Sequence, residues 1–280
     1  FCVEVFNGGS AVMIKDITLG QYFPGNSPVH RMDPRTKLIL LVIYIVALFT
    51  ATNWASYLVM FLFLTMSILI SKIPLKSIVR GRWPLLMIPI CTGLRIGLVA
   101  GGETLLLRFW VIRIYMEGIL RAVFMIARIL MLMAGTFLLT YTTSPISLTD
   151  GLESLLGPLK KLRLPVHELS MMMCIALRFI PTLIEETDKI MSAQKARGAD
   201  FESGKLFDRV KALVPILVPL FISAFRRADE LATAMECRCY HGGDGRTKMK
   251  LLRYKRVDIN AFFIGVVLLA GVFGLRYFGL

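Results

Sequence analysis

The sequence predicts an all-α integral membrane protein with about five transmembrane helices and a cytoplasmic domain of long amphipathic helices. Hydrophobic residues make up 56% of the 280 residues, which is more than a soluble domain of this size can bury. Most of them lie in apolar runs that are separated by basic loops. Residues 165–240 differ, because charged residues there recur beside a helical apolar stripe.

The net charge of +14 comes from 33 Lys and Arg residues that cluster beside the apolar runs. Inside-facing loops and acidic lipid headgroups explain this pattern better than a nucleic acid partner does. The five cysteines are an odd number spread along the chain, which argues against a disulfide framework. Cys237 and Cys239 do not have zinc-ligand spacing and lack a second pair or a histidine cluster, so we predict no metal site.

The first two apolar runs predict short membrane spans. Asp33 and Pro34 predict the start of a helix, since Asp caps a helix and Pro suits its first position. The runs 38–49 and 57–70 reach the length of about 20 residues that a span needs only by including flanking residues. Basic residues lie before the first run and after the second, which places the N-terminus in the cytoplasm.

Three further spans complete the predicted topology. Residues 85–100 form the third and 119–141 the fourth, with 104–115 between them as a short hairpin or re-entrant piece. Residues 257–278 form the fifth, and the basic run before it marks its cytoplasmic end.

These spans define the predicted domains. Residues 1–12 are expected to be a cloning remnant that precedes a natural start at Met13. Residues 13–142 carry the first four spans, residues 143–256 form the cytoplasmic domain, and residues 257–280 form the C-terminal span.

One alternative concerns residues 213–225, which are apolar around the whole helix and include Pro215 and Pro219. A helix of these 13 residues is only about 20 Å long, and runs this short are more often buried or interfacial. A sixth span here would also move Arg238 outside, against the positive-inside rule. The five-span topology is therefore preferred.

Arg95, Arg121 and Arg128 lie in or near predicted spans, where an ionisable residue is a functional hypothesis by default. A translocation path would also need acidic residues and a polar helix face, and the predicted spans contain almost no Asp or Glu. We therefore interpret these arginines as structural: Arg121 snorkels, Arg95 lies near a helix end and Arg128 pairs inside the helix bundle.

Residues 165–240 predict two long helices that are too charged to cross a bilayer. Their apolar residues recur every three or four positions, which gives each helix one apolar side. Met172 and Met173 on the first helix and Leu217 and Phe221 on the second are candidates for contact with a partner. Methionine suits surfaces that accept several partners, although core packing explains the methionines equally well.

Each long helix ends in an arginine with small or compact neighbours. These are Ala196 and Gly198 beside Arg197, and Cys237 and Cys239 beside Arg238. A solvated cation that the helix dipole favours is the simpler explanation. The duplication favours another, because small neighbours let a protein approach and the guanidinium offers five donors to a cleft. Two such ends suit a partner with two similar clefts.

No catalytic motif accompanies these helices. The chain lacks a phosphate-binding loop, the His-Glu-x-x-His metal motif and the Gly-x-Ser-x-Gly nucleophile motif. We therefore predict a non-catalytic protein with no cofactor of its own.

Five segments together resemble the transmembrane T component of energy-coupling factor (ECF) transporters. They are residues 30–37, 142–145, 177–181, 194–198 (Gln-Lys-Ala-Arg-Gly) and 234–240 (Ala-Met-Glu-Cys-Arg-Cys-Tyr). The likeness covers residues 13–280, and its most specific part is the pair of arginine motifs with the helix between them. One departure is Cys-Arg-Cys in the second motif, where Ala-Arg-Gly is the commoner form.

The resemblance implies a complex in a prokaryotic cell membrane. Such T components join two similar or identical cytoplasmic ATPase subunits, which bind the ATP, to a membrane subunit that binds a vitamin or metal ion. That substrate-binding subunit is dedicated or one of several interchangeable ones. The two arginine ends would dock into the ATPases, and the long helices would couple ATPase closure to tilting of the substrate-binding subunit.

Two other functions are alternatives. A self-contained secondary transporter or channel would need internal repeats and polar residues at mid-membrane. A membrane enzyme would need a catalytic constellation. The sequence shows neither feature.

Overall fold

The computed structural model describes residues 22–73, 87, 89–93, 95, 105–109, 112–158, 165–199, 206–242 and 252–277. The expected remnant at 1–12, most of the predicted third span and the basic residues 246–250 lie outside them. The described elements are α1 (Pro28–Arg31), α2 (Pro34–Thr50), α3 (Trp54–Ser71), β1 (Leu105–Phe109), β2 (Ile112–Tyr115), α4 (Met116–Thr142), α5 (Pro145–Leu156), α6 (Val166–Ala196), α7 (Leu206–Cys237) and α8 (Arg256–Tyr277). This helical architecture confirms the predicted all-α class.

The chain forms two compact units. The bundle unit comprises Gly20–Leu155 and Leu251–Leu280, and it contains α1 to α4, the hairpin and α8. The long-helix unit comprises Phe1–Leu19 and Leu156–Lys250, and it contains α6 and α7. The two candidate arginine ends therefore belong to the same unit.

Four described helices are long and apolar enough to cross a membrane, judged by length and composition. They are α3, α4, α6 and α8. Three of them, α3, α4 and α8, coincide with predicted spans. The predicted first span corresponds to α2, which has 17 residues and is shorter than these four.

The helix α6 is the unexpected member of that group. The expectation that both long helices are too charged to cross a bilayer is wrong for α6, because its charges are concentrated in its second half. Before Glu185 the helix contains only two charged residues, Glu168 and Arg178. Only 6% of its most apolar 18-residue stretch is buried in the structure, so that stretch is open to lipid or a partner.

The core of the bundle unit joins α2, α3, α4 and α8. Tyr44, Met60, Met131 and Val272 are buried in one apolar cluster to which each of these helices contributes. The Tyr44 hydroxyl donates to the carbonyl of Met131 at 3.1 Å. Gly135 permits the close approach of α4 to α2, because a Cβ there would lie 2.7 Å from the Tyr44 ring.

The start of α2 has the predicted cap. The Asp33 carboxylate accepts from the N–H of Arg35 at 3.0 Å, and Pro34 occupies the first turn. The N–H of Asp33 donates at 2.8 Å to the buried carboxylate of Asp258, which also accepts from the N–H of Lys255 at 2.7 Å. One carboxylate therefore ties the start of α2 to the start of α8.

Arg128 has the structural role that the sequence predicted. Its Nη2 donates at 2.9 Å to the carbonyl of Ala51, which ends α2. Its guanidinium also lies over the rings of Phe49 and Tyr57. Arg128 thus satisfies a helix-end carbonyl and packs on aromatic faces.

The strands β1 and β2 confirm the hairpin alternative for residues 104–115. They pair antiparallel, with Leu105 opposite Tyr115 and Phe109 opposite Ile112. The hairpin leads directly into α4.

Candidate functional site

The C-terminus of α6 places Arg197 at a defined turn. Arg197 is the C-cap residue, and Gly198 follows it in the left-handed conformation with φ of 86°. The N–H of Gly198 donates to the carbonyl of Lys195, and the N–H of Ala199 donates to that of Gln194, both at 3.0 Å. These two bonds form a Schellman motif, which satisfies carbonyls that the helix would otherwise leave unpaired.

The C-terminus of α7 repeats this geometry. Arg238 follows the last helical residue, and Cys239 has φ of 55°, in the left-handed region. The N–H of Cys239 donates to the carbonyl of Glu236 at 2.8 Å, and the N–H of Tyr240 donates to that of Met235 at 3.0 Å. The hydrogen bonds join the same positions as in α6, so both helices end in a Schellman motif.

Both candidate arginines therefore occupy the C-cap position of the same backbone motif. Arg197 and Arg238 are exposed, as are their flanking residues Ala196, Gly198, Cys237 and Cys239. The partial negative charge at a helix C-terminus stabilises a cation there, which accounts for one arginine at a time. This charge effect does not explain why both arginines occupy the same cap position, so the repeated position favours recognition by a partner.

The candidate apolar contacts are also exposed. Met172 is 55% exposed, Met173 39%, Leu217 46% and Phe221 61%. They are therefore not core residues of the described chain. Exposed apolar surface of this extent marks contact with a protein partner or with lipid.

The two long helices are joined by a polar contact that the sequence did not suggest. The Glu186 carboxylate of α6 accepts from the hydroxyl of Ser223 and from Nη2 of Arg227, both on α7, the latter at 3.1 Å. Glu186 and Arg227 are partly buried in this ion pair. Sequence spacing indicates only partners within one helix, so it gives no sign of this contact between two helices.

Two of the segments that carry the resemblance meet inside the bundle unit. Lys37 Nζ donates to the carbonyl of Thr142 at 2.8 Å and to Oγ1 of Thr143 at 3.1 Å. Lys37 belongs to the segment 30–37, and the two threonines belong to 142–145. The contact holds the start of α2 against the end of α4, which gives these segments a structural role.

Among the residues that the structure describes, no group of three or more His, Cys, Asp and Glu side chains is arranged to hold a metal ion. Cys237 and Cys239 have free, exposed thiols. The guanidinium groups at the arginine ends offer hydrogen bonding and charge pairing.

Comparison with known proteins identifies the family. The sequence matches CbiQ, a family described as cobalt transport protein, over residues 25–249. It is 53% identical to the energy-coupling factor transporter transmembrane protein EcfT of Clostridium kluyveri over 257 residues, 91% of this chain and 95% of that protein. The chain belongs to the T-component family of ECF transporters.

Other T components are similar over their whole length. The EcfT proteins of Ruminiclostridium cellulolyticum and Bacillus subtilis are 50% and 47% identical to this chain. The matches cover 95% and 94% of this chain and 99% and 100% of the two relatives. As a T component, the chain is a multi-pass membrane subunit of a prokaryotic transporter rather than a catalytic subunit.

Proposed function

We propose that this T component is the energy-coupling scaffold of an ECF-type importer for vitamins or other micronutrients. Arg197 and Arg238 dock into two cytoplasmic ATPase subunits, one arginine into each, and those subunits bind and hydrolyse the ATP. The observation that carries the proposal is the repeated Schellman motif with an arginine at the C-cap. Two clefts of one shape require two cations presented in one geometry.

The cap geometry explains why these arginines suit docking. Each follows a helix of more than 30 residues, so its backbone position is fixed before a partner arrives. The residues beside each arginine are small or compact, which leaves the guanidinium accessible on several sides. A fork of five donors then selects carboxylates or carbonyls inside a cleft.

The exposed apolar surface provides the second contact. Met172 and Met173 on α6 and Leu217 and Phe221 on α7 face a substrate-binding membrane subunit, which carries the transported compound. Methionine adapts to differently shaped partners, which suits a scaffold shared by several such subunits. The basic flanks of the spans favour a cytoplasmic position for the N-terminus and for the two arginine ends.

The arginines are tested by Arg197→Ala and Arg238→Ala, singly and together. Each single variant should weaken co-purification of the ATPase subunits about tenfold, and the double variant by more, because buried arginine anchors dominate interfaces. Uptake should fall in parallel, while the unfolding temperature of the T component stays unchanged. Undiminished ATPase association in the double variant would contradict the proposal.

The apolar contact is tested by Met172→Glu, with Met172→Leu as the matched control. A charge at the contact should impair assembly with the substrate-binding subunit, because it would be buried without a partner. The leucine variant should assemble normally. Normal assembly of the glutamate variant would instead assign Met172 to a lipid-free, solvated surface.

A self-contained transporter is the alternative function, and the described cavity of the bundle unit does not favour it. The cavity has a volume of about 380 Å³ and contains no Asp or Glu in its lining. Its cation, Lys37, is hydrogen-bonded to Thr142 and Thr143. Uptake by vesicles that contain the purified chain alone would support this alternative and contradict the scaffold.

A further inference from the structure

We infer that Glu186 is a positioning residue that fixes the contact point between α6 and α7, so that movements of the two arginine ends turn both helices about one point. This inference rests on the proposed docking function of Arg197 and Arg238. It assigns a role to a carboxylate that lies far from both docking ends.

The contact constrains α7 in two ways. Ser223 and Arg227 are four residues apart and therefore lie on one face of α7, on successive turns. The two oxygens of the Glu186 carboxylate accept one hydrogen bond from each. A single carboxylate that binds two successive turns restricts both sliding of α7 along α6 and rotation of α7 about its own axis.

The contact point is equally distant from both arginines. Glu186 lies eleven residues before Arg197, and Arg227 lies eleven residues before Arg238. Eleven helical residues correspond to about 16 Å along each axis. The two docking segments, 186–197 in α6 and 227–238 in α7, therefore have equal lengths from one shared ion pair.

The prolines of both helices lie on the other side of this contact. Pro181 in α6 precedes Glu186, and Pro215 and Pro219 in α7 precede Ser223. The segments between the contact and the arginines contain no proline, so their hydrogen-bond ladders are uninterrupted. Proline removes a helical hydrogen bond and permits bending, so the docking segments are the stiffer parts of both helices.

Stiff segments of equal length transmit a displacement without absorbing it in bending. When two ATPase subunits approach each other, both arginines are displaced by the same partner motion. With the Glu186 contact intact, that displacement turns α6 and α7 together. Without it, the helices slide or rotate past each other, and ATP hydrolysis proceeds without moving the apolar surface.

The test measures coupling in the complete complex, reconstituted in vesicles. Glu186→Ala should leave co-purification of the ATPase subunits and the unfolding temperature of the complex within about twofold and a few degrees of wild type. Uptake per ATP hydrolysed should fall about tenfold, because the charge-assisted bonds that fix the contact are lost. Glu185→Ala and Arg226→Ala, at exposed neighbouring positions, are the matched controls and should keep wild-type coupling.

A charge exchange separates positioning from general packing. Glu186→Arg combined with Arg227→Glu restores the ion pair in the reverse sense, and it should recover at least half of the lost coupling. If the Glu186→Ala chain does not fold, the ratio of uptake to ATP hydrolysis in Glu186→Gln and in the exchange variant decides the question. Glutamine keeps the size of the side chain and its acceptor for Ser223 but loses the charge.

Unchanged uptake per ATP in Glu186→Ala would overturn the inference, as would failure of the exchange variant to recover coupling. Loss of ATPase association in Glu186→Ala would also overturn it, because the residue would then act in docking. Retained ATPase association in the Arg197 and Arg238 double variant is a different result, which overturns the proposed function itself.

Discussion

Cys239 occupies a backbone position that favours glycine. Its φ of 55° is the counterpart of Gly198, whose φ is 86°. A side chain in the left-handed region costs about 1–2 kcal/mol, so the second arginine end is less stable than the first. The Cys-Arg-Cys departure noted in the sequence therefore has a physical consequence for the backbone.

We expect Cys239→Gly to stabilise the end of α7 by about 0.5–1 kcal/mol, because glycine adopts this conformation without strain. The change should be visible as slower amide hydrogen exchange at Tyr240, whose N–H closes the motif. Cys237→Ala, two residues earlier at the last helical position, should leave that exchange rate unchanged. Faster exchange in Cys239→Gly would show that Cys239 makes a compensating contact.

The reverse change applies at the first end. Gly198→Ala introduces a side chain at φ of 86°, where no described atom beyond its chain neighbours lies within 4 Å of the added Cβ. The expected destabilisation of about 1 kcal/mol is therefore conformational and not steric. Faster amide exchange at Ala199 would measure it, and an unchanged rate would contradict the strain argument.

His30 makes the bundle unit sensitive to acid. Burial lowers the pKa of His30 below its ordinary value of 6.5. The hydrogen bond to the Phe23 carbonyl raises this pKa in part, and the nearby charge of Lys37 lowers it further. A carbonyl oxygen can only accept, so Nε2 of the neutral ring carries the proton and donates to the Phe23 carbonyl at 3.0 Å. Nδ1 then accepts from the Ser27 hydroxyl at 2.6 Å. Protonation would remove that acceptor.

Stability should therefore fall as the pH falls below 6.5. Above pH 6.5 the ring is neutral in both folded and unfolded chains, and its contribution is complete. Below 6.5 the unfolded chain binds the proton first, which favours unfolding until the pH passes the lower folded-state pKa. Thermal unfolding in detergent from pH 8 to pH 5 should show this loss, and His30→Gln should reduce the slope.

The packing of α2 against α4 depends on Gly135. Gly135→Ala should destabilise the bundle unit by about 1–3 kcal/mol, because the added Cβ would lie 2.7 Å from the Tyr44 ring. Gly271→Ala in α8 is the control, since its added Cβ would meet no described atom of another element within 4 Å. That change should be neutral or stabilising, because alanine is the better helix former. Equal unfolding temperatures for the two variants would contradict the packing argument.

The elements that the sequence predicted well are those with local signals. The cap formed by Asp33 and Pro34, the hairpin near residue 105 and both arginine ends depend on residues that are neighbours in sequence. The apolar first half of α6 was missed because the charges of its second half dominated the interpretation of the whole helix.

The contacts that the sequence could not predict join distant segments. Asp258 binds the N–H of Asp33, 225 residues earlier, and Glu186 binds Ser223, 37 residues later. Each residue is acidic and resembles any solvated carboxylate in its local sequence. Only the packing of the helices brings its partner within hydrogen-bonding distance.

Asp258 holds the first and last parts of the bundle unit together. We expect Asp258→Ala to lower the free energy of unfolding by about 2–3 kcal/mol, since the buried N–H of Asp33 and the partly buried N–H of Lys255 lose a charged acceptor. Asp258→Asn should cost less, because the amide oxygen keeps one of the two hydrogen bonds. Chemical denaturation in detergent would measure both changes, and an equal cost for the two variants would contradict this account.

The exposed side of α7 affects the fate of the molecule before it is assembled. Phe221 is 61% exposed and Phe225 69% within the described chain. Newly made copies that remain unassembled present this side to chaperones and proteases, and they adhere to one another. A cell should therefore make this subunit in step with the rest of its transporter, and any surplus should be short-lived.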